Sequence, residues 1–275
     1  MPGIDWIQGQ KFKGVADFVY APEHKLDGDY DNLQNTFDIT KLKDKNIVYT
    51  HTMYVNQLFD VLYPLQEKFI VVTHNSDVNI DDKYEAPDNV IRWFSQNVNV
   101  YKDYLDSLPI GLENDMWFPG INKKQQMQDK LTDSRHYHNL VYMNHNIATN
   151  PSKREYPYQV LEHKSWVTSD RGANGYDFGT YIDNIYNHLF VICPEGNGID
   201  THRIWECLYM GVIPIVENNI NNSFYTDLPM LVVDDWDELT EEGLMATYLT
   251  KQSMVVNRNK LYFRYWEDRI KSYLL

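Results

Sequence analysis

Cysteine is nearly absent from this chain, with two in 275 residues, Cys193 and Cys207. Two cysteines build no disulfide framework, and without a CxxC spacing the pair makes a poor thiolate metal site. Such usage suits a reducing compartment. Positive charge is scarce as well. Lys and Arg number 25 against 39 Asp and Glu, giving a formal charge of -14. A nucleic-acid backbone is therefore not expected as the main partner, because that binding needs a cationic face. One local basic pocket for a small anion remains allowed. No apolar run approaches the ~18 residues of a membrane span. The opening MPGIDWIQGQKFKG has no apolar stretch of signal-peptide length. Together these absences predict a chain without a membrane span, acting in the cytoplasm.

What is present is enough apolar material for real cores: 43% hydrophobic residues, 14% of all residues aromatic. The length allows one large α/β domain or two of about 130 residues each. Short apolar runs predict strands at residues 46–50, 69–73, 90–94, 139–143, 188–193, 212–216 and 228–233. Between the first two, Val55, Leu58, Phe59 and Leu62 repeat at i, i+3, i+4, i+7, which predicts an amphipathic helix. Phe178, Ile182 and Ile185 repeat that spacing before the strand at 188. Strands alternating with helices imply crossover connections and parallel sheets. Residues 119–138 (PGINKKQQMQDKLTDSRHYH) are polar, lack sustained periodicity and begin with a turn-forming Pro-Gly, so they read as a linker. The expected division is residues 1–130 and 131–275, with a closing helix near the end that can pack back on the first half.

The most informative stretch is CPEGNGIDTHRIWECLYMGVIPIV, residues 193–216. It reads as a buried strand end, a glycine-containing loop, a short helix from about Asp200, and a second strand. A helix that starts after such a loop offers free N–H groups and positive dipole to an anion. Arg203 and Glu206 lie about one turn apart on one face. An arginine suits a diphosphate, and a carboxylate suits the two hydroxyls of a ribose. Gly196 and Gly198 give the loop freedom to approach a ligand closely, while Asp200 or Thr201 is placed to cap the helix. His202 follows, and backbone N–H groups from Gly198 to His202 can reach phosphate.

The run PEGNGIDTHRIWECLYMGVIPIV resembles the C-terminal signature of exostosin-like glycosyltransferases and, more loosely, that of α-fucosyltransferases. LVYMNHNIATNPSKREYPY resembles the first strand and loop of the same domain, and VVTHNSD a strand-end loop of the partner domain. The resemblance implies a GT-B-like α/β architecture, two Rossmann-like domains facing across a cleft, with a UDP-sugar donor held by the C-terminal one. It implies no metal, the diphosphate being met by helix dipole and basic side chains. Soluble enzymes of this kind in large algal viruses include a xylosyltransferase. That branch implies a cytoplasmic setting in an infected host cell, with xylose as one possible sugar.

Several strand-end residues join the donor-side set on position. Glu195 faces the presumed cleft and is a candidate for the transferred sugar. Arg154 adds a second positive charge for the diphosphate. Asn144 and Asn146 are turn formers placed to touch sugar or phosphate, and Trp166 and Thr168 can line a pocket for the base. An inverting transfer also needs a base to take the proton of the acceptor hydroxyl. Asp77 ranks first for that role, then His74 and His51, all just after strands of the first half. The partners expected are thus a nucleotide sugar and a glycan acceptor.

Two other chemistries fit parts of the sequence. Gly196-x-Gly198 after a strand, with Glu217 about 20 residues on, imitates the dinucleotide fingerprint of a nicotinamide-dependent oxidoreductase. However, Thr201 stands where the third glycine belongs. A carbohydrate-binding protein without turnover would use the same polar, aromatic loops. A glycosidase is disfavoured, because it needs two carboxylates about one bond and no nucleotide site.

Overall fold

The computed structural model describes residues 5–24, 33–117, 120–171, 177–253 and 258–275. The chain divides into two compact units: Asp5–Ile110 together with Tyr262–Leu275, and Gly111–Leu261. Each carries one five-stranded sheet, and every strand pairing in both is parallel. The fold is α/β, as the alternation of strands and helices requires.

The first unit opens with α1 (Gly9–Val15) and β1 (Phe18–Val19), then β2 (Lys45–His51), α2 (Val55–Leu62), β3 (Lys68–His74), β4 (Val90–Ser95) and β5 (Leu105–Ser107). The strands lie in sequence order, β1-β2-β3-β4-β5. β2 and β3 are covered on both faces, so Ile47, Val48, Tyr49, Phe69, Ile70, Val71 and Val72 are all buried. This is the physical cause of their unbroken apolar runs. The helical pattern expected over α2 is real, and Val55, Leu58, Phe59 and Leu62 are its buried residues. Parallel register sets Thr50 beside Thr73 and His51 beside His74 at the carboxyl ends of β2 and β3.

The second unit contains α3 (Gly120–Lys130), β6 (Asn139–Met143), α4 (Pro151–Leu161), β7 (Val167–Ser169), α5 (Phe178–Tyr186), β8 (His188–Ile192), α6 (His202–Tyr209), β9 (Ile213–Glu217), α7 (Ile220–Ser223), β10 (Leu231–Val233) and α8 (Glu241–Ser253). Its order is β10-β9-β8-β6-β7. From β6 the chain goes first to one side, as β7, and then returns to the other, as β8. The two connections diverge between β6 and β8, which opens a crevice outside their carboxyl ends. The core beneath it joins Val141, Met143, Phe190, Ile192, Ile213 and Ile215 of the strands to Tyr158, Leu161, Trp236 and Leu244.

Two parts of the sequence reading need correction. Residues 120–130 of the expected linker are helix α3, which is anchored where Lys130 pairs with Asp183 of α5 at 2.8 Å and lies over the Tyr186 ring. Lys and Gln are good helix formers, so a polar sequence without a clear stripe can still be helical. Pro119 lies outside the described residues. Three short strands, β1, β5 and β7, were also not anticipated. The division between units falls at Ile110/Gly111, against the expected 130/131, and the chain returns to the first unit at Tyr262. There α9 (Phe263–Lys271) packs: the Phe263 amide donates to the Asp5 carbonyl at 3.0 Å, and Arg269 Nη2 pairs with Asp106.

Candidate functional site

The crevice outside β6 and β8 receives the loops 144–150 and 193–201, and both were singled out from sequence. Cys193 continues β8 by donating its amide to Ile215 at 2.9 Å, after which the chain leaves the sheet. The loop is closed on itself by the Gly196 amide donating to the Gly198 carbonyl at 2.9 Å. It is then held from α4. Asn150 Nδ2 donates to the Gly196 carbonyl at 2.8 Å, and Arg154 Nε donates to the Glu195 carbonyl at 2.8 Å. Arg154 Nη1 donates to the Asn146 carbonyl at 3.1 Å, so this one guanidinium ties the β6 loop to the β8 loop. A Cβ at Gly196 would stand 3.0 Å from Arg154 Nη2 and 3.4 Å from Thr201 Cγ2. Glycine is favoured there by a close neighbour, not by a left-handed backbone.

Helix α6 begins at this point without a side-chain cap. Thr201 occupies the N-cap position, but its hydroxyl caps nothing, and Oγ1 is buried with no partner. Both carboxylate oxygens of Asp200 accept from Trp205 Nε1, at 2.9 and 3.1 Å. His202 Nδ1 donates to the Gly111 carbonyl at 2.8 Å, which fixes that ring. Thr201 therefore supplies no side-chain cap; in the first turn the Ile204 amide donates to the Thr201 carbonyl at 3.1 Å, and a helix start of this kind presents its amides to an acceptor.

Arg203 sits in the first turn, its guanidinium 5.2 Å above the ring of Tyr181 from α5. Its Nη1 is buried and has no hydrogen-bond partner. Burial opposes its charge, yet the ionisable groups of Tyr181, Cys193, Glu206 and Cys207 around it raise its proton affinity above the ordinary value. It stays a cation. Arg154 is pushed the opposite way, first by burial and then by the positive charge of Arg203. Two guanidiniums that disfavour each other, one with an unsatisfied buried donor, describe a site short of an anion. A buried donor without a partner costs on the order of 1–3 kcal/mol, more when it is charged.

Glu206, one turn on, is buried, and its Oε2 accepts from the Tyr181 hydroxyl at 2.6 Å. Tyr181 thus meets Arg203 with its ring and Glu206 with its hydroxyl. At the other side of the loop, Glu195 Oε1 accepts from Asn219 Nδ2 at 3.0 Å. Lys153 lies between Glu195, at 3.6 Å, and Glu217 at the end of β9, at 3.4 Å. Burial raises the Glu217 carboxyl pKa; Lys153 lowers it and the nearby Glu195 raises it further. Glu217 Oε2 is buried without a partner.

The remaining donor-side residues spread more widely. Asn144 donates to the Tyr142 hydroxyl at 2.8 Å. Asn146 turns its side chain inward to accept the Ala148 amide and offers its carbonyl to Arg154. Trp166 packs into the hydrophobic core of the unit, and Thr168 pairs with His188 Nε2 at 2.9 Å. In the first unit, His74 Nε2 donates to the Pro109 carbonyl at 3.0 Å, while Nδ1 accepts from the Asn75 amide at 2.9 Å. Any Cβ at Gly9 would overlap the Asn75 side chain and the His74 ring. His51 is buried and stacked on Tyr54 with centroids 6.3 Å apart. Asp77 is exposed.

Sequence reasoning missed Tyr181, His145, Asn150, Lys153 and Asn219 as parts of this region. Tyr181 carried a weak signal, since it follows Phe178 by three residues on the helix then recognised.

No known family model matches the chain, and no curated protein matches it. Among solved structures it is similar to an α1,3-fucosyltransferase, with 13% identity over 83% of this chain and 76% of that one and a TM-score of 0.42. It is also similar to a glycosyltransferase from Rickettsia africae ESF-5, with 12% identity, the same coverages and a TM-score of 0.38. The UDP-GlcNAc 2-epimerase from Methanocaldococcus jannaschii gives 10% identity over 84% of this chain and 77% of that one, with a TM-score of 0.39. Among the described residues no helix is long and apolar enough to cross a membrane.

Proposed function

We propose that the second unit binds a UDP-sugar and that the protein transfers its sugar to a glycan hydroxyl with inversion. One observation carries this reading. At the carboxyl ends of β6 and β8, the unpartnered Nη1 of Arg203 and the N-terminus of α6, where the Thr201 side chain caps nothing, gather beside a second arginine, Arg154. Donors without acceptors call for a ligand rich in acceptor oxygens, and a diphosphate supplies them.

In the transfer, the acceptor oxygen forms a bond to the anomeric carbon, and the bond from that carbon to the β-phosphate oxygen breaks. The electron pair leaves with UDP. Arg203, Arg154 and the α6 amides meet the charge that grows on that oxygen, each such contact lowering the barrier by ~2–4 kcal/mol. The charge is met by side chains, so the reaction is expected to proceed without a metal. Tyr181 holds Glu206 Oε2, and we assign Oε1 to a ribose hydroxyl. Glu195, held by Asn219, is assigned to the sugar. The acceptor's proton goes to a base that we assign to Asp77 ahead of His74 and His51. Asp77 is exposed, whereas the His74 lone pair is committed to the Asn75 amide. The resemblance to exostosin-like enzymes supports UDP as the nucleotide, xylose as a sugar worth testing first, and a cytoplasmic setting in an infected host cell.

The test is a thermal-shift screen across UDP- and GDP-sugars, followed by UDP release from the best binder. A donor at 100 times its Kd stabilises by about 2.7 kcal/mol through mass action. A flat response to every nucleotide sugar would sink the proposal.

A further inference from the structure

His145 belongs to none of the roles above, yet it is the most completely buried histidine of this crevice. It follows β6 directly. Its amide donates to the Tyr158 hydroxyl at 3.0 Å, and that hydroxyl donates back to the His145 carbonyl at 3.0 Å. The imidazole lies 4.4 Å from the Tyr158 ring. Nε2 is 2.7 Å from the Arg154 carbonyl. A carbonyl can only accept, so Nε2 carries the proton and Nδ1 is a bare lone pair. Nδ1 is buried and has no partner.

Two buried atoms of this crevice are therefore complementary and unsatisfied: the acceptor His145 Nδ1 and the donor Arg203 Nη1. They are also electrostatically coupled, because the charges that act on the His145 ring are those of Arg203 first and Arg154 second. Buried polar atoms are rarely left alone, and one hydrogen bond between them would partner both.

Resting on the anion-site reading above, we propose that His145 is a positioning residue for Arg203. Its Nδ1 accepts one N–H of Arg203 Nη1 when an anion draws the guanidinium into place, which leaves the second N–H of Nη1 and those of Nη2 to face the phosphate. The imidazole suits this duty because it offers a lone pair without adding charge between two arginines. With its other nitrogen it holds the Arg154 backbone, so a single ring sets the relation of both guanidiniums.

Three substitutions separate the two nitrogens. His145→Asn keeps an acceptor near Nδ1 and loses the tether at Nε2. His145→Gln keeps a donor near Nε2 and loses the acceptor, and His145→Phe keeps only the ring. The probes are inorganic pyrophosphate and UDP, titrated calorimetrically against the whole chain, with thermal melts to confirm folding. We expect Gln and Phe to weaken pyrophosphate about tenfold or more, and Asn only about threefold, the difference being one charge-assisted hydrogen bond. Wild-type imidazole 15N spectra should show the lone-pair nitrogen becoming hydrogen-bonded when pyrophosphate is added, and this change should be absent in Arg203→Gln. Asn as damaging as Gln and Phe, or no loss in any folded variant, would overturn the proposal. So would a wild type that fails to bind pyrophosphate. Binding of pyrophosphate but not UDP would sink the nucleotide-sugar reading and leave the role of His145 standing.

Discussion

Replacing Gly196 by alanine tests the site with one methyl group. The new Cβ would stand 3.0 Å from Arg154 Nη2, several tenths of an ångström too close. The backbone at Gly196 is not left-handed, so alanine adopts it without strain and gains about 0.4–1 kcal/mol from a less flexible unfolded chain. The methyl can be relieved by moving the arginine tip. That tip is not loose, because Nε and Nη1 are tied to the Glu195 and Asn146 carbonyls at 2.8 and 3.1 Å. Loosening one of these charge-assisted bonds without breaking it costs a fraction of its full ~1.5–3 kcal/mol, so the stability terms nearly cancel. With roughly 2–4 °C of melting shift per kcal/mol for a chain near this size, the melt should move by only a few degrees. Affinity behaves differently. Arg154 displaced from its place loses a charge-assisted bond to phosphate, worth roughly 1.5–3 kcal/mol, which is about tenfold to a hundredfold in Kd. The assay is calorimetric titration of UDP beside a thermal melt of the same sample. UDP affinity within twofold of wild type, in a variant that melts normally, would refute the placement of Arg154 at the anion.

Other outcomes follow from the same geometry. Arg203→Ala should fold and lose most of its turnover, about 30-fold to 1,000-fold in kcat for ~2–4 kcal/mol of leaving-group stabilisation; near-normal turnover would remove Arg203 from the site. Tyr181→Phe keeps the ring over Arg203 but deletes the hydroxyl that holds Glu206. It should weaken UDP more than pyrophosphate, which has no ribose, and equal losses would reject that assignment. Asp77→Asn should lower the transfer rate strongly and leave UDP affinity within about twofold, the signature expected for a base. Burial, and then the two arginines, lower the His145 pKa from 6.5 to about 3. The unfolded chain takes a proton there that the folded chain refuses. Stability is therefore fully present above about pH 6.5 and is lost as pH falls toward 3, at about 1.4 kcal/mol per unit. Urea titrations of wild type and His145→Asn across pH 4–7 should differ by that slope, and identical slopes would refute it.

The central strands were legible because burial on both faces leaves unbroken apolar runs, as at Ile47–Tyr49 and Phe69–Val72. β1, β5 and β7 were not, since two or three residues have no period and are strands only through the neighbour they pair with. α3 was hidden by its polarity, with Met127 buried among lysines and glutamines. Arg203 and Glu206 could be read from their spacing on one helix. Tyr181 could not, because its contact with Glu206 spans 25 residues of chain. The cap expected from the Thr201 side chain is absent. Cap propensity is local, but the Asp200 carboxylate is claimed by the Trp205 indole.

The return of the chain to its first unit at Tyr262 has a consequence for how the protein is made. Residues 111–261 form a compact unit, and all its strands are translated before α9. The first unit, begun earlier, must wait. Until Phe263, Trp266 and Ile270 arrive, the surfaces that bury them stay open, and Asp106 has only Arg92 as its cation. The order of completion is thus reversed relative to the order of synthesis. Released chains truncated after residue 261 should hold the later-made unit closed and the earlier-made one incomplete, and chaperones would find their binding surface there.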